Sequence, residues 1–290
     1  MIVRRITPAA VVSTARDLPA LRAFTPRGQK AFLALISGTT NHRSQLVREA
    51  IVARGLLAPK TPADKLVALL DDPALTPVVL KREAIALPKT GLTYALSPLP
   101  GAPGLKRIAC AVAGRAIPLD IASSLDAPAI AARIGDALAS VPAEVRAQLS
   151  SVFVSDAKNP DDDYFSELYG VEVLAAMGCG KEGRLHVFPE AMKQDRDTFV
   201  RNLFHEAGHT FSIRAWGRDE AGAGWNPWRA AAAEDVIAPS YYATCSVHED
   251  AAETFLLYLI SRGTPAFKEY QAMFPKRFAL IEGALARANR

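Results

Sequence analysis

Apolar residues in the first 70 positions recur at helical spacing in several short stretches. These stretches are residues 26–36, 44–53 and 62–70. Segments rich in glycine, proline and threonine separate them, and Asp-Asp-Pro at 71–73 ends the last one. We therefore predict a small helical module over residues 1–75, followed by a separate domain over residues 76–290.

From residue 77 the apolar positions form short runs divided by proline and glycine, a pattern typical of strands. These runs are residues 78–80, 92–96, 108–112 and 152–154. Residues 171–177 and 184–188 flank a glycine-rich turn and predict two more strands. Residues 127–149 predict one long helix, or a pair of helices divided at Pro142. Together these elements indicate an α+β domain.

Two longer amphipathic segments predict helices in the last third of the chain. In the first, apolar residues recur from Phe199 to Phe211, Asp197 begins a start signal and Gly217 is a stop signal. The second covers residues 246–261 and is followed by glycine and proline. Each helix is expected to bury one face.

The first of these helices carries the sequence His205-Glu206-Ala207-Gly208-His209. Side chains four residues apart share one face of a helix, so both imidazoles can bind a single zinc ion. The carboxylate of Glu206 can then reach the metal-bound water, whose pKa zinc lowers to about 7, and remove its proton. This spacing predicts a hydrolase that uses one catalytic Zn²⁺.

A catalytic zinc ion requires a third protein ligand and an open coordination position. The third histidine of a metzincin is absent, since position 215 is alanine. Glu249 and Glu253 share a face of the second helix, so we assign Glu249 as the ligand and Glu253 as the acceptor that orients a ligating histidine. Alternatively, Glu249 forms a capping box with Ser246, and Glu253 or His248 becomes the next candidate ligand.

Three segments of this region, 205–209, 240–243 and 249–255, carry a family resemblance. Their sequences, His-Glu-Ala-Gly-His, Ser-Tyr-Tyr-Ala and Glu-Asp-Ala-Ala-Glu-Thr-Phe, resemble the gluzincin metallopeptidases of the anthrax lethal factor catalytic-domain type, a group that includes the Pro-Pro endopeptidases. The resemblance covers residues 184–275. It implies a zincin-like domain in which a small mixed sheet and a backing helix support the HExxH helix and a glutamate-bearing helix.

In that family a tyrosine seven residues before the glutamate ligand donates a hydrogen bond to the oxyanion, and Tyr242 has this spacing from Glu249. A phenol beside a metal can stabilise the charge that develops on the scissile carbonyl oxygen. The resemblance therefore implies a catalytic role for Tyr242. The alternative is an amphipathic side chain at a wet edge of the core.

Substrate-binding residues are predicted in two places. In the resembled fold the strand before the metal-binding helix is an edge strand that pairs with extended substrate, which implies Leu185, His186 and Val187 as contacts. Between the two helices, residues 216–239 contain three tryptophans and several glycines. This insert predicts either a loop that places Trp225 over the cleft or simple packing of large aromatic side chains.

Composition limits the class of protein. The chain has 290 residues, of which 50% are hydrophobic and 22% are charged, typical of a soluble globular protein. No apolar run approaches the ~20 residues that cross a bilayer, and no general secretory signal is recognised. With 3 scattered cysteines a disulfide framework is not expected. We expect cytoplasmic synthesis, with export by a dedicated secretion system as the alternative.

The net charge of +4 is unevenly distributed. Residues 1–60 contain ten basic side chains and two acidic ones, so this segment carries +8 and the rest of the chain carries −4. These basic residues form either a solvated face or a surface that binds an acidic partner, a membrane headgroup or nucleic acid, and no nucleic-acid motif accompanies them.

These patterns predict a zinc-dependent peptidase, most simply an endopeptidase that acts on a protein substrate. Two alternatives remain open. One is a catalytically silent, zinc-stabilised binding or adaptor module. The other is a toxin or effector peptidase that is delivered into another cell.

Overall fold

A computed structural model describes residues 78–79, 86–88, 90–163, 175–235, 237–240, 242–244 and 246–288. The predicted helical module over residues 1–75 lies outside these residues, as does most of the predicted strand 171–177. No helix in the described part of the chain is long and apolar enough to span a membrane.

The described residues form groups of strands followed by groups of helices. The strands are β1 (Val78–Val79), β2 (Tyr94–Pro98), β3 (Leu105–Val112), β4 (Arg115–Ala122), β5 (Ser151–Val154), β6 (Met177–Cys179), β7 (Arg184–Val187) and β8 (Ile237–Ala238). The α-helices are α1 (Ala127–Ser140), α2 (Ala143–Gln148), α3 (Pro189–Lys193), α4 (Arg196–Trp216), α5 (Asn226–Asp235), α6 (Val247–Ser261), α7 (Ala266–Met273) and α8 (Pro275–Ala288). Two short 3₁₀ helices cover Ala223–Trp225 and Tyr242–Thr244.

Six strands form one mixed sheet in the order β2-β3-β4-β5-β7-β6. Strands β4, β5 and β7 are parallel to one another, whereas β2 and β3 at one end and β6 at the other pair in antiparallel fashion. Strands β1 and β8 form a separate parallel pair. The fold is therefore α+β with a small mixed sheet, as the sequence predicted.

Strand β4 was not predicted from the sequence. It follows β3 through a two-residue turn in which Ala113 and Gly114 have φ values of 49° and 79°, the positive values that a type I′ hairpin turn requires. Alanine seldom adopts this conformation, and Pro118 lies in the middle of the strand, so both local signals argue against a hairpin here. Alternate residues of β4 are nevertheless fully buried, and this burial explains the strand.

The long helix predicted around the His-Glu-Ala-Gly-His motif is α4. Its N-cap is Asp195, two residues before the predicted start, and the Asp195 side chain accepts a hydrogen bond of 2.9 Å from the Thr198 N–H. Gly217 ends the helix with a φ of 100°, as predicted. The predicted division at Pro142 is also present, between α1 and α2.

Helices α4 and α6 pack closely at a glycine within the motif. A Cβ atom added at Gly208 would lie 2.8 Å from the Cα atom of Ala252. This separation is too short for any side chain, so glycine at this position allows the two helix backbones to approach. The close approach brings the first turns of α6 beside the histidines of α4.

The prediction that residues 184–188 form the edge strand is wrong. Gly183, with a φ of 75°, turns the chain so that β6 pairs along the outer side of β7. The backbone of Leu185, His186 and Val187 is therefore bonded to β5 on one side and to β6 on the other. It cannot supply main-chain hydrogen bonds to a substrate, and in the described residues β6 is the last strand at this end of the sheet.

Candidate metal centre

One turn of α4 brings together the three motif side chains of the candidate site. The donor atoms of His205, Glu206 and His209 lie within 4.8 Å of one another. The two imidazole rings meet edge to face, with centroids 4.7 Å apart. This arrangement follows from the spacing of four residues on a regular helix.

The carboxylate of Glu249 reaches the same point from the first turn of α6. Its Oε2 atom lies 3.0 Å from His205 Nε2 and 3.4 Å from His209 Nε2. This oxygen is buried, and among the described residues it has no hydrogen-bond partner of acceptable geometry. Two imidazole nitrogens and one carboxylate oxygen therefore face a common point. Two histidines and one glutamate are a donor set found at catalytic zinc sites.

The backbone and the side chain of Glu249 have different partners. Its N–H donates a 3.1 Å hydrogen bond to the Ser246 hydroxyl, which caps the helix. Its carboxylate is directed to the histidines rather than back to Ser246. The backbone cap and the contact of the carboxylate with the histidines are thus compatible, so the cap does not exclude Glu249 as a ligand.

Glu253 lies one turn further along α6 and contacts the opposite ring nitrogen of His205. The distance from Glu253 Oε1 to His205 Nδ1 is 2.9 Å. Since Nδ1 faces this carboxylate, Nε2 is left to face Glu249 and the common point. The sequence predicted such a contact between Glu253 and a histidine of the motif, and the role of Glu253 in orienting a metal ligand stays a prediction.

Charge interactions in the cluster shift several pKa values. Burial opposes the charged form of each group, yet the neighbouring carboxylates raise the pKa of His205, and the histidines lower the pKa of Glu249. Burial raises the pKa of Glu206. Negative charge at Glu249 and positive charge on the imidazoles therefore stabilise each other. A divalent cation bound here would replace the protons on the two rings and supply the positive charge instead.

Tyr242 lies beside the cluster in the 3₁₀ helix that precedes α6. Its ring centroid is 5.6 Å from that of His205, and 48% of the residue is exposed. An exposed aromatic ring at the edge of a buried polar cluster can contact a bound molecule. Tyr241, the neighbouring residue considered in the sequence, lies outside the described residues.

Strand β6 contacts the catalytic candidate Glu206, a feature that the sequence did not indicate. The Cys179 N–H lies near the Glu206 carboxylate, where it favours the charged form and opposes the effect of burial on the pKa. The Cys179 Sγ atom lies 3.0 Å from the Thr210 hydroxyl, which itself donates a 2.8 Å hydrogen bond to the Gly180 carbonyl. Burial raises the pKa of the Cys179 thiol to about 12, so the thiol stays protonated at neutral pH. The edge strand and α4 are thereby held together at the site.

The tryptophans of the insert are packed in the protein interior. Trp225 is fully buried, donates from Nε1 to the Gly217 carbonyl at 2.9 Å and stacks on His248 at 4.7 Å. Trp216 and Trp228 are buried beside it. These contacts favour the packing interpretation of the insert over a loop that presents Trp225 to substrate.

His248, the reserve ligand candidate, contacts residues outside this donor set. It stacks on Trp225, and its Nδ1 atom lies 3.8 Å from Glu220 Oε1. Burial lowers its pKa to about 4. The structure therefore provides no contact between His248 and the histidines comparable to that of Glu249.

A comparison of the chain with protein-family models, with curated proteins and with solved structures finds no match.

Proposed function

We propose that this chain is a zinc-dependent peptidase of the gluzincin type, with a zincin-like domain, that hydrolyses internal peptide bonds of a protein substrate. The supporting observation is that Glu249 Oε2 lies 3.0 Å from His205 Nε2 and 3.4 Å from His209 Nε2. This buried oxygen has no hydrogen-bond partner of acceptable geometry among the described residues. These three residues would hold the ion. When bound, zinc would polarise the scissile carbonyl and lower the pKa of a water molecule.

Glu206 is the proposed general base. Its carboxylate is buried beside the histidines, and burial raises its pKa above the usual value for glutamate. A raised pKa brings a carboxylate nearer to the neutral range in which it can both accept and return a proton. Glu206 would accept the proton of the attacking water and deliver it to the leaving amine, with the Cys179 N–H close to its carboxylate.

Two further side chains would act around this step. The Tyr242 phenol, exposed at the edge of the cluster, would donate a hydrogen bond to the carbonyl oxygen as negative charge develops on it. The Glu253 carboxylate would accept from His205 Nδ1 and hold the ring so that Nε2 faces the ion.

The proposed substrate is an extended peptide segment, because within the described ranges the sheet ends in a short strand next to the site. Strand β6 is antiparallel to β7, and its Cys179 lies against Glu206. A peptide that adds to the outer side of β6 would form main-chain hydrogen bonds and pass directly by the general base. Substrate pairing is therefore proposed at Met177–Cys179 rather than at the strand predicted from the sequence.

The proposal is tested by two measurements on the purified full chain. Metal analysis after zinc loading should give one ion per chain, and a peptide library should be cleaved at internal bonds, with cleavage abolished by a chelator and restored by zinc. Failure to bind zinc would contradict the proposal. Zinc binding with no cleavage of any library peptide or denatured protein would indicate a zinc-stabilised binding module instead.

A further inference from the structure

A buried polar network lies directly behind the glutamate that faces the histidines. Asp250 follows Glu249 in the first turn of α6 and is completely buried. Its Oδ2 atom accepts a 2.9 Å hydrogen bond from Trp228 Nε1 and a 3.0 Å hydrogen bond from Arg277 Nε. One carboxylate oxygen thus joins α6 to α5 and α8.

Asp235, the last residue of α5, completes the network. Its carboxylate accepts 3.0 Å hydrogen bonds from the backbone N–H groups of Lys276 and Arg277 in the first turn of α8, and it lies 3.7 Å from Arg277 Nη1. The Arg277 side chain is 1% exposed. Two buried carboxylates therefore flank one buried guanidinium, and any movement that separated them would leave a charge unpaired away from water.

The network constrains Glu249 because Asp250 is its neighbour on the helix. Consecutive helical residues point about 100° apart, so the two carboxylates face different partners, Glu249 the histidines and Asp250 the pair Trp228 and Arg277. With side chains extending about 5 Å from the helix axis, a rotation of the turn by about 10° would displace the Glu249 carboxylate by roughly 1 Å. Such a displacement is large compared with the tolerance of a metal–ligand bond.

We propose that Asp250 is a positioning residue for the metal centre, which holds the first turn of α6 through Trp228 and Arg277 so that Glu249 faces His205 and His209. This inference rests on the proposed zinc site. It predicts that loss of the Asp250 contacts weakens metal binding in a protein that is still folded. A network that only stabilises the fold would lower the unfolding temperature and leave the affinity for metal unchanged.

The experiment compares Asp250→Asn with the wild-type full chain. Asparagine keeps the size of the side chain and one acceptor oxygen but removes the charge that pairs with Arg277. We expect zinc affinity, measured by competition with a chromophoric chelator, to fall about 10- to 100-fold. The visible spectrum of the cobalt(II) form should change in position or intensity, because it reports the ligand geometry directly. Circular dichroism, recorded below the unfolding transition, establishes that the variant and the wild-type protein are folded under the conditions of both measurements.

Asp120→Asn is the matched control. Asp120 also forms a partly buried ion pair, with Arg107 Nε at 2.7 Å, but it lies on β4 and has no role in the proposed site. This variant should lose stability and retain the wild-type zinc affinity and cobalt spectrum. Weaker binding in Asp120→Asn by the same factor would show that general destabilisation explains the effect, and would overturn the inference.

Trp228→Phe provides a second variant that removes only one donor to Asp250 and keeps an aromatic ring in the core. We expect a several-fold loss of zinc affinity and a smaller cobalt spectral change. This variant decides the question if Asp250→Asn does not fold. Wild-type affinity and spectrum in the folded variants would overturn the inference alone, whereas a wild-type protein that binds no zinc would overturn the proposed function on which it rests.

Discussion

His205 and His209 owe their proximity to a single helix, whereas Glu249 reaches them from a second helix 40 residues further along the chain. The positions of the two histidines need only the regular geometry of α4. This helix begins after its N-cap Asp195 and ends at its C-cap Gly217. The carboxylate needs α6 to pack closely at Gly208, and it needs the first turn of α6 to have the right rotation. Two of the three donors, the histidine half of the site, are therefore a local property of the sequence. The third donor, Glu249 in the carboxylate half, depends on tertiary packing.

The largest effect is expected within the histidine half. Glu206→Gln removes the proton acceptor and leaves both imidazoles and Glu249 in place. Peptide cleavage should fall by about 10²- to 10⁴-fold, the usual contribution of a general base, while zinc binding remains stoichiometric. Steady-state cleavage of a library-derived peptide and metal analysis of the same sample provide the two measurements.

Glu190→Gln makes the same chemical change on α3, where Glu190 pairs with Lys193 at 2.6 Å. This control should cleave at the wild-type rate. Substantial cleavage by Glu206→Gln, with the control unaffected, would show that another group accepts the proton and that the helix spacing alone does not identify the base.

The next effect in size concerns the segment that leads into the carboxylate half. Tyr242→Phe keeps the ring next to His205 and removes the hydroxyl, so kcat should decrease by about 10²- to 10³-fold with little change in zinc affinity. Tyr258→Phe removes a hydroxyl at the far end of α6, where the partner is Glu282 at 3.5 Å, and should leave kcat unchanged. Equal rates in the two variants would remove Tyr242 from the mechanism.

Differences between the sequence predictions and the fold follow the same division between local and tertiary causes. Helix α4 and its two histidines were predicted because a strong apolar period and clear end signals lie in one continuous segment. Helix α6 was predicted for the same reason, with Ser246 as its cap. The shared helix face of Glu249 and Glu253 suggested a ligand, but nothing within α6 determines which residues the Glu249 carboxylate faces.

The sequence predictions fail where contacts between distant segments of the chain determine the structure. Residues 184–188 form a strand, as predicted, but its place inside the sheet depends on β6 folding back over the Gly180–Gly183 turn. Strand β4 forms despite Pro118 because its other face is buried. Helix α8, which contributes Arg277, was not predicted at all, and a buried arginine has no local sequence signal. The network around Asp250 was therefore beyond the reach of sequence patterns.

A smaller effect is expected from the contact that couples the two halves. Glu253→Gln retains a side chain of the same shape at His205 Nδ1 and removes its charge. Zinc affinity should decrease by about 10- to 100-fold. Competition with a chromophoric chelator measures this change, and Glu282→Gln, on the exposed face of α8, serves as the control with unchanged affinity. Wild-type affinity in Glu253→Gln would show that the carboxylate does not orient the ligand.

The smallest effect concerns the approach of the two helices themselves. Gly208→Ala places a methyl group 2.8 Å from the Cα atom of Ala252, so the helices must separate at this position. Overpacking of this kind costs about 1–3 kcal/mol, and the higher helix propensity of alanine offsets up to about 1 kcal/mol of it. Chemical denaturation of the metal-free protein should therefore show a net loss of roughly 1–2 kcal/mol in the free energy of unfolding.

Gly283→Ala is the control that measures the effect of helix propensity without overpacking between two helices. Gly283 lies within α8, and the nearest atom to an added Cβ is the end of the flexible Arg287 side chain, at 3.6 Å. The same substitution there should be neutral or stabilise the protein by up to about 1 kcal/mol. Because separation of the helices at Gly208 also moves Glu249 away from the histidines, Gly208→Ala should bind zinc more weakly, whereas Gly283→Ala should not. A stable Gly208→Ala protein with full zinc affinity would show that the carboxylate half tolerates a looser helix contact than its position in the structure implies.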